Sequence, residues 1–447
     1  MGSIVLRKRP NLTSARRHVA IVTPPTSGHI NPLVALGTAL AGRGYRVTMV
    51  HMADAAPLIP VSAAVGFAAL DHPADRSGLL TAHFRTLGRP SGIIGLPRMI
   101  RSTARMTEVL LEALPIALRR LDVDAVIADS AEAAGALVAR HLGLPFVTAV
   151  TGLPLLREPD VPPPFLGWRY RPDARGRNRN AGGYAVSDVL MRPITQVVTR
   201  FARRWGLDPD ARHAWSDRLQ IAQCPAGLDF PRKALPASFR YGAPWRLPEP
   251  AMTAPDADER PLVYCSLGSL QGARVSLFAA MTRACAAVGA RALVAHGGGL
   301  TEAEAASLPG DPLVRAFWPQ TRILPRCAAA ILHGGFNTVL DALSAGVPIV
   351  AVPLGFEQPA TAARLRHVGA GLVVTPAAIG RGALESALRE LLRTPGYRRA
   401  AAALGAEMAA CGGAAEAAAA IDALFATDRP IMPPRAVSPP RAAMSVV

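Results

Sequence analysis

The stretch His18–Met52, HVAIVTPPTSGHINPLVALGTALAGRGYRVTMVHM, decides the fold. HVAIVTPP reads as a buried strand closed by prolines, Asn31–Gly42 carries apolar residues at helical spacing, and YRVTMVHM resumes as a strand. Strand, helix and strand in that order form a β-α-β unit, which requires a parallel sheet. Further along, DAVIAD (124–129), a helix through Glu132–Leu142 and PFVTAV (145–150) repeat the rhythm. The first half is therefore an α/β layer fold whose strands are buried on both faces.

The proline-rich segment GAPWRLPEPAMTAPDADERP (242–261) lacks both periodicities and marks a boundary. Beyond it the rhythm restarts with PLVYCSLGS (261–269), ARALVAHGG (290–298), LVRAFWPQ (313–320), AAAILHGG (328–335), a helix from Asn337, and PIVAVPLG (348–355). The expected organisation is a basic tail at 1–17, an N-terminal domain at 18–245, a linker at 246–260 and a C-terminal domain at 261–411. A helix at 412–427 is expected to pack back on the N-terminal domain, followed by a proline-punctuated disordered tail at 428–447. Two such domains face each other across a cleft, with ligands at the carboxyl ends of the strands.

At 447 residues, with half of them apolar, the chain has material for two cores. The longest uncharged apolar runs, Leu142–Leu156 and Ala342–Phe356, are fifteen residues each and contain proline, too short to span a bilayer. The N-terminus lacks a secretory pattern, and five cysteines (Cys224, Cys265, Cys285, Cys327, Cys411) include no CxxC pair. A cytoplasmic protein without a structural metal is expected. Of the 49 basic and 32 acidic residues, 32 and 17 respectively lie at or before Leu247, so the positive surplus belongs to the N-terminal half. Charge alone favours a solvated arginine surface, with nucleic acid, an anionic membrane surface or an acidic ligand as alternatives.

The first βα turn, TPPTSGH (23–29), lacks G-x-G-x-x-G, which disfavours a nicotinamide or flavin site. In the second half, His333-Gly334-Gly335 closes a strand just before a helix at Asn337-Thr338. Small residues let backbone amides approach a ligand there, and the helix N-terminus favours negative charge, so the turn reads as a diphosphate cradle. A glycine turn with a capping residue is the plainer alternative.

The stretch HGGFNTVLDALSAGVPIVAVPLGFEQPATAARL (333–365), with FWPQTRILPRCAA and YCSLGS upstream, resembles the sugar-nucleotide signature of the UDP-dependent glycosyltransferases acting on plant natural products, macrolides and carotenoids. The N-terminal TPPTSGHINP resembles the same family's acceptor loop, and the wording NTVLDAL with FEQPATAARL stands nearest to the bacterial carotenoid (zeaxanthin) glucosyltransferases. The resemblance implies the GT-B fold, two Rossmann-like doubly wound parallel-sheet domains facing across a cleft. It implies His29 as catalytic base and Asp129 as its orienting carboxylate, roles that suit a near-neutral imidazole backed by an acid. For the UDP-sugar donor it implies Ser269, Phe317, Trp318, Gln320, His333, Gly334, Gly335, Asn337, Thr338, Asp341, Glu357 and Gln358. Phe317 stands where a tryptophan is usual, and Asp341 and Glu357 each exchange the acid length usual in plant members. Ile30, Phe165 and Trp168 are expected at the acceptor.

The implied reaction is inverting transfer of a hexose, with glucose expected, from UDP to a hydroxyl of an apolar acceptor. A hydroxylated carotenoid such as zeaxanthin is the first choice and a macrolide or polyketide the second. A sugar-nucleotide epimerase or a non-catalytic lipid-carrier binding protein on the same fold is the rival. No cofactor or nucleic acid is expected, and no metal, because the D-x-D triplets at Asp122/Asp124, Asp208/Asp210 and Asp256/Asp258 read as turn carboxylates and the cradle supplies charge compensation for UDP. Residues 161–179 set Phe165, Trp168 and Tyr170 beside Arg169, Arg171, Arg175, Arg177 and Arg179. That segment reads either as a mobile basic loop or as a flap docking peripherally on an anionic membrane surface at the inner face of the cell membrane.

Overall fold

The first sheet contains β1 (His18–Val22), β2 (Arg46–His51), β3 (Gly66–Ala69), β4 (Ala125–Asp129), β5 (Phe146–Val150), β6 (Gln220–Ala222) and β7 (Phe239–Arg240). In space they run β3-β2-β1-β4-β5-β6-β7, every pair parallel. The second contains β8 (Leu262–Ser266), β9 (Arg291–Ala295), β10 (Leu313–Arg315), β11 (Cys327–Leu332), β12 (Ile349–Ala351) and β13 (Gly371–Val373), ordered β10-β9-β8-β11-β12-β13 and again parallel. This is the doubly wound, two-domain α/β architecture expected. The computed structural model describes residues 17–88, 92–209, 214–251 and 259–427. The tails at 1–16 and 428–447, linker positions 252–258 and the triplet residues Asp210, Asp256 and Asp258 lie outside the described residues.

Helices cover both faces of each sheet because the strands are apolar on both sides. Strands β1, β4 and β5 are buried along their whole length. Helix α1 (Ser27–Gly42) sends Leu33, Leu36 and Leu40 into a core shared with Val19, Ile21 and Trp245. On the other face α2 (Gly92–Arg120) and α3 (Ala133–Leu142) share a core with Val22 and Val126. Asp124, part of the first D-x-D triplet, accepts the His18 N–H at 2.8 Å, so that carboxylate pins a strand end.

The middle of the chain corrects one expectation. Residues 174–179 are not loop: they open α4, a 31-residue helix over Ala174–Arg204. Asp173 caps it by accepting the Gly176 N–H at 2.6 Å. The arginine-rich first turns carry no apolar period, so only the cap betrays the helix in sequence.

In the second domain α5 (Phe336–Ser344) and α6 (Gln358–His367) follow β11 and β12. The chain ends its described part with α7 (Pro395–Ala410) and α8 (Gly413–Thr427). The run Pro395–Ala426 is long and apolar enough to cross a membrane by composition. Here it divides: Leu404 and Met408 pack in the C-terminal core, whereas Ala417, Ala418, Ile421 and Phe425 enter the core beneath α1. Asp422 adds polar ties, accepting from Tyr45 at 2.8 Å and Arg43 at 3.0 Å.

A buried ion cluster also crosses between the domains. Asp229 accepts Arg232 Nε at 2.6 Å, Arg364 Nε of α6 at 2.8 Å and the Tyr241 hydroxyl at 3.0 Å. All three charged side chains are essentially without solvent contact. Burial pushes the Asp229 pKa up, but Arg364 and Arg232 outweigh it and hold the carboxyl below its ordinary value. A folded-state pKa below the unfolded one gives stabilisation that is complete above the unfolded value and is lost as pH falls through the folded value. Arg364→Met should cost about 3 kcal/mol or more, as a broken buried pair does, and appear as an earlier urea midpoint. The deficit should shrink as pH falls through the Asp229 titration, and a midpoint unchanged at neutral pH would contradict this account.

Candidate active site

Four neighbouring strands end in polar residues that meet at one point. Thr23 follows β1, Asp129 closes β4, Thr151 follows β5 and Gln223 follows β6. Asp129 is buried, and its Oδ2 accepts from the Thr23 hydroxyl at 2.9 Å, the Thr151 hydroxyl at 2.9 Å and His29 Nδ1 at 2.9 Å. Its Oδ1 accepts the Ala131 N–H at 2.9 Å. The Thr151 oxygen also lies 2.8 Å from His29 Nδ1. An ionised carboxylate only accepts, and the Thr151 proton is already given to it, so Nδ1 must carry hydrogen and Nε2 the lone pair. The site therefore presents a base nitrogen fixed in tautomer and orientation.

Burial pulls the His29 pKa down, but the charge and hydrogen bond of Asp129, with Glu357 and Glu132 further away, hold it above the ordinary histidine value. Glu357 precedes α6 in the other domain, so the imidazole feels both walls of the cleft. Glu132 is buried behind the pair, where desolvation lifts its carboxyl to about 7 against the hydrogen bonds of Ala134 N–H and Thr107.

Across the cleft, β8 and β11 are the neighbours at the switch point of the second sheet. His333 follows β11 with 8% of its surface exposed, and burial drives its pKa down to about 4, so the ring is neutral. A Cβ on Gly268 would stand 2.8 Å from its Nε2, and one on Gly335 would collide with the same atom. Glycine is thus required on both sides of the ring, and Gly334, at φ +88°, completes the turn. No side chain caps the N-terminus of α5, so its first amides remain for a ligand. Thr338 is buried in the first turn of that helix.

Asn337 bridges the two domains. Pro32, inside α1, has no N–H to give the Gly28 carbonyl four residues earlier. Asn337 Nδ2 takes that carbonyl at 2.6 Å, while its Oδ1 accepts Gln223 Nε2 at 2.8 Å. Gln223 is fully buried, donates to the Thr151 carbonyl and accepts from Arg246 Nη1 at 3.0 Å. Arg246 then reaches Asp341 Oδ1 at 2.6 Å and the Asn337 carbonyl at 3.0 Å. One polar chain thus runs from the histidine pair to the N-terminal turn of α5.

The remaining expected residues divide. Phe317 is 70% exposed, an open ring face, whereas the neighbouring Trp318 is buried and donates its indole N–H to the Val294 carbonyl at 3.0 Å. Ser269 is exposed, and Gln320 begins a helical turn whose amide is held by Glu249 at 3.0 Å. Gln358 uses its carbonyl oxygen on the amides of Leu354 and Gly355, at 2.8 and 3.0 Å, leaving only its NH2 group for a ligand. One acceptor expectation is corrected. Ile30 is 1% exposed and packs with Leu33 and Trp245, because one helical step past His29 turns the side chain into the core. Trp168 is half-buried, lying against Gly183 of α4 with the Arg179 guanidinium 4.8 Å over its ring. Phe165 is 39% exposed.

Thr23, Thr151, Gln223 and Arg246 escaped the sequence reading. Their signal was positional, a polar residue at or just past the end of an apolar run, with Arg246 at the start of the expected linker.

An NMR titration of His29 should give a midpoint above that of an ordinary histidine, about 6.5. Asp129→Asn should drop it below that value, since the burial penalty stays while the charge is lost. A wild-type midpoint at or below the ordinary value would contradict the assigned geometry.

Residues 280–424 match the family described as Erythromycin biosynthesis protein CIII-like, C-terminal domain. The chain is 41% identical to the zeaxanthin glucosyltransferase of Pseudescherichia vulneris over 79% of its own length and 85% of that protein. It is 35% identical to the zeaxanthin glucosyltransferase of Pantoea ananas over 93% and 97%. Among solved structures, the calicheamicin glycosyltransferase CalG4 superposes with a TM-score of 0.72 at 22% identity, covering 93% of this chain and all of that one, which shows the GT-B fold. With these relatives, and a histidine oriented by a buried carboxylate opposite a glycine-lined helix N-terminus, the chain belongs to the GT-B glycosyltransferase family that includes the bacterial zeaxanthin glucosyltransferases.

Proposed function

We propose that this glycosyltransferase moves glucose, with inversion, from UDP-glucose to a hydroxyl of a carotenoid diol of the zeaxanthin class. The observation that carries the chemistry is the His29–Asp129 contact, which leaves Nε2 as the available base. In the proposed step Nε2 takes the acceptor hydroxyl proton as the oxygen forms its bond to the anomeric carbon. The bond from that carbon to the diphosphate oxygen breaks on the opposite face, and its electron pair leaves with UDP. Asp129 stabilises the imidazolium. Neutral His333 and the first amides of α5 supply donors for the charge growing on the departing diphosphate. We assign no metal to this step and expect turnover to persist in a chelator.

The acceptor class rests on the two zeaxanthin glucosyltransferases, which are more similar to this chain than the demethyllactenocin mycarosyltransferase of Streptomyces fradiae, at 26% identity. Incubation with UDP-glucose and detergent-dispersed zeaxanthin should yield mono- and diglucosides by mass, with the rate rising with pH through the His29 titration. His29→Ala should lower turnover about a hundredfold or more while UDP binding survives. Unchanged turnover would remove the histidine from the mechanism, and an epimerised sugar nucleotide without conjugate would replace the transferase reading for this substrate.

A further inference from the structure

We propose that the outer face of α4 is the surface on which this protein docks to an anionic bilayer. The inner face of the helix is fully occupied. Val197, Phe201 and Ala202 enter the core beside α2. Asn180 donates to the Pro159 carbonyl at 2.9 Å, Tyr184 donates to the Val161 carbonyl at 3.1 Å, and Gly183 seats Trp168. One turn of the wheel away, Val186 and Val189 are each 61% exposed and Leu190 is 38% exposed. With Gly182 and Pro193 they fall at helical spacing on a single stripe. Arg175 is exposed in line with that stripe, two to three turns earlier, and Arg192 is exposed on its flank.

The charge around the stripe selects the occupant. Between residues 157 and 192 there are seven arginines and four acids. The acids have partners: Asp160 with Arg177 and Lys233, Asp173 with Arg171, Asp188 with Arg157, and Glu158 with Arg232. What remains is positive. A second copy of this chain would set the same arginine-rich face against itself, and nucleic acid offers nothing to exposed valines. An anionic lipid surface meets both features, phosphates for the arginines and the acyl boundary for Val186, Val189 and Leu190. The expected flap at 161–179 is revised accordingly. Trp168 and Tyr170 are packed against Gly183 and Phe230, and the lipid-facing apolar groups belong to the helix.

Placement relative to the cleft gives the surface a use. The segment Pro159–Arg171 lies along α4, and Gly167 within it abuts the Pro359 carbonyl at the start of α6, next to Glu357 and Gln358. A docked α4 therefore holds the cleft beside the lipid from which an apolar acceptor must come, a use that rests on the acceptor class proposed above.

Full-length protein should co-sediment with vesicles of phosphatidylcholine and phosphatidylglycerol at three to one, and only weakly with phosphatidylcholine alone. Raising salt from about 50 mM to about 500 mM should weaken binding about tenfold. The variant Val186→Ser/Val189→Ser/Leu190→Ser and the variant Arg175→Gln/Arg192→Gln should each bind about tenfold more weakly, with transfer to a detergent-dispersed acceptor unchanged. Equal binding to neutral vesicles, or full binding by both variants, would overturn the proposal. So would a wild-type dimer in sedimentation velocity that the serine variant dissolves, since the stripe would then serve self-association. Vesicle binding with the expected pattern in a protein that fails to glucosylate carotenoid would leave the surface standing and sink only the acceptor reading.

Discussion

Asp229, without contact with water, is held between Arg232 of its own domain and Arg364 of the other, and the geometry of the cleft depends on that pairing. Charges in such a place cannot part cheaply, because each would remain desolvated and unpaired. Helix α6 is therefore fixed to the N-terminal domain through its middle, and Glu357 and Gln358 at its start are fixed with it. Another bridge, from Asn337 to the Gly28 carbonyl, is a neutral hydrogen bond at an exposed edge. Neutral bonds of this kind contribute far less than a buried ion pair costs when broken. Around that buried pair the domains also meet through Gln223 on Asn337, Arg246 on Asp341 and α8 beneath α1, and His29 lies beside the lighter, neutral contacts.

The two halves solve the same positioning problem in the same way. In each sheet the order of strands reverses beside the first strand of the domain, and the crevice there receives the functional loop. β1 and β4 deliver His29 and Asp129, and β8 and β11 deliver Gly268 and His333. The chemistry of the two histidines is then divided by surroundings. His29 sits against a carboxylate and gains basicity, whereas His333 is buried between glycines and stays neutral, fit to donate rather than to take protons.

Much of this was legible in the sequence. The alternation of apolar strands and amphipathic helices places both domains, the glycine turn singles out His333, and the family resemblance points to His29 and Asp129. Gln223 was not legible, because its importance comes from three elements distant in sequence meeting on one amide. The first half of α4 was hidden for a different reason: ARGRNRN shows neither helical nor strand periodicity, and its helix is held by a cap and by glycines that admit neighbouring side chains. Ile30 lies in the core and not at the cleft, because one step past His29 along a helix turns the side chain to another face.

The return of α8 to the first domain reaches beyond packing. Ala417, Ala418, Ile421 and Phe425 complete the core beneath α1, and the Phe425 carbonyl accepts from Arg17, 408 positions earlier. During synthesis the N-terminal sheet emerges from the ribosome long before these residues exist, with Ile21, Leu36 and Tyr45 lacking their cover. The domain made first is thus finished last, and the whole second domain must be translated while an apolar patch on the first waits, a period in which chaperone occupancy and chain release become coupled to folding.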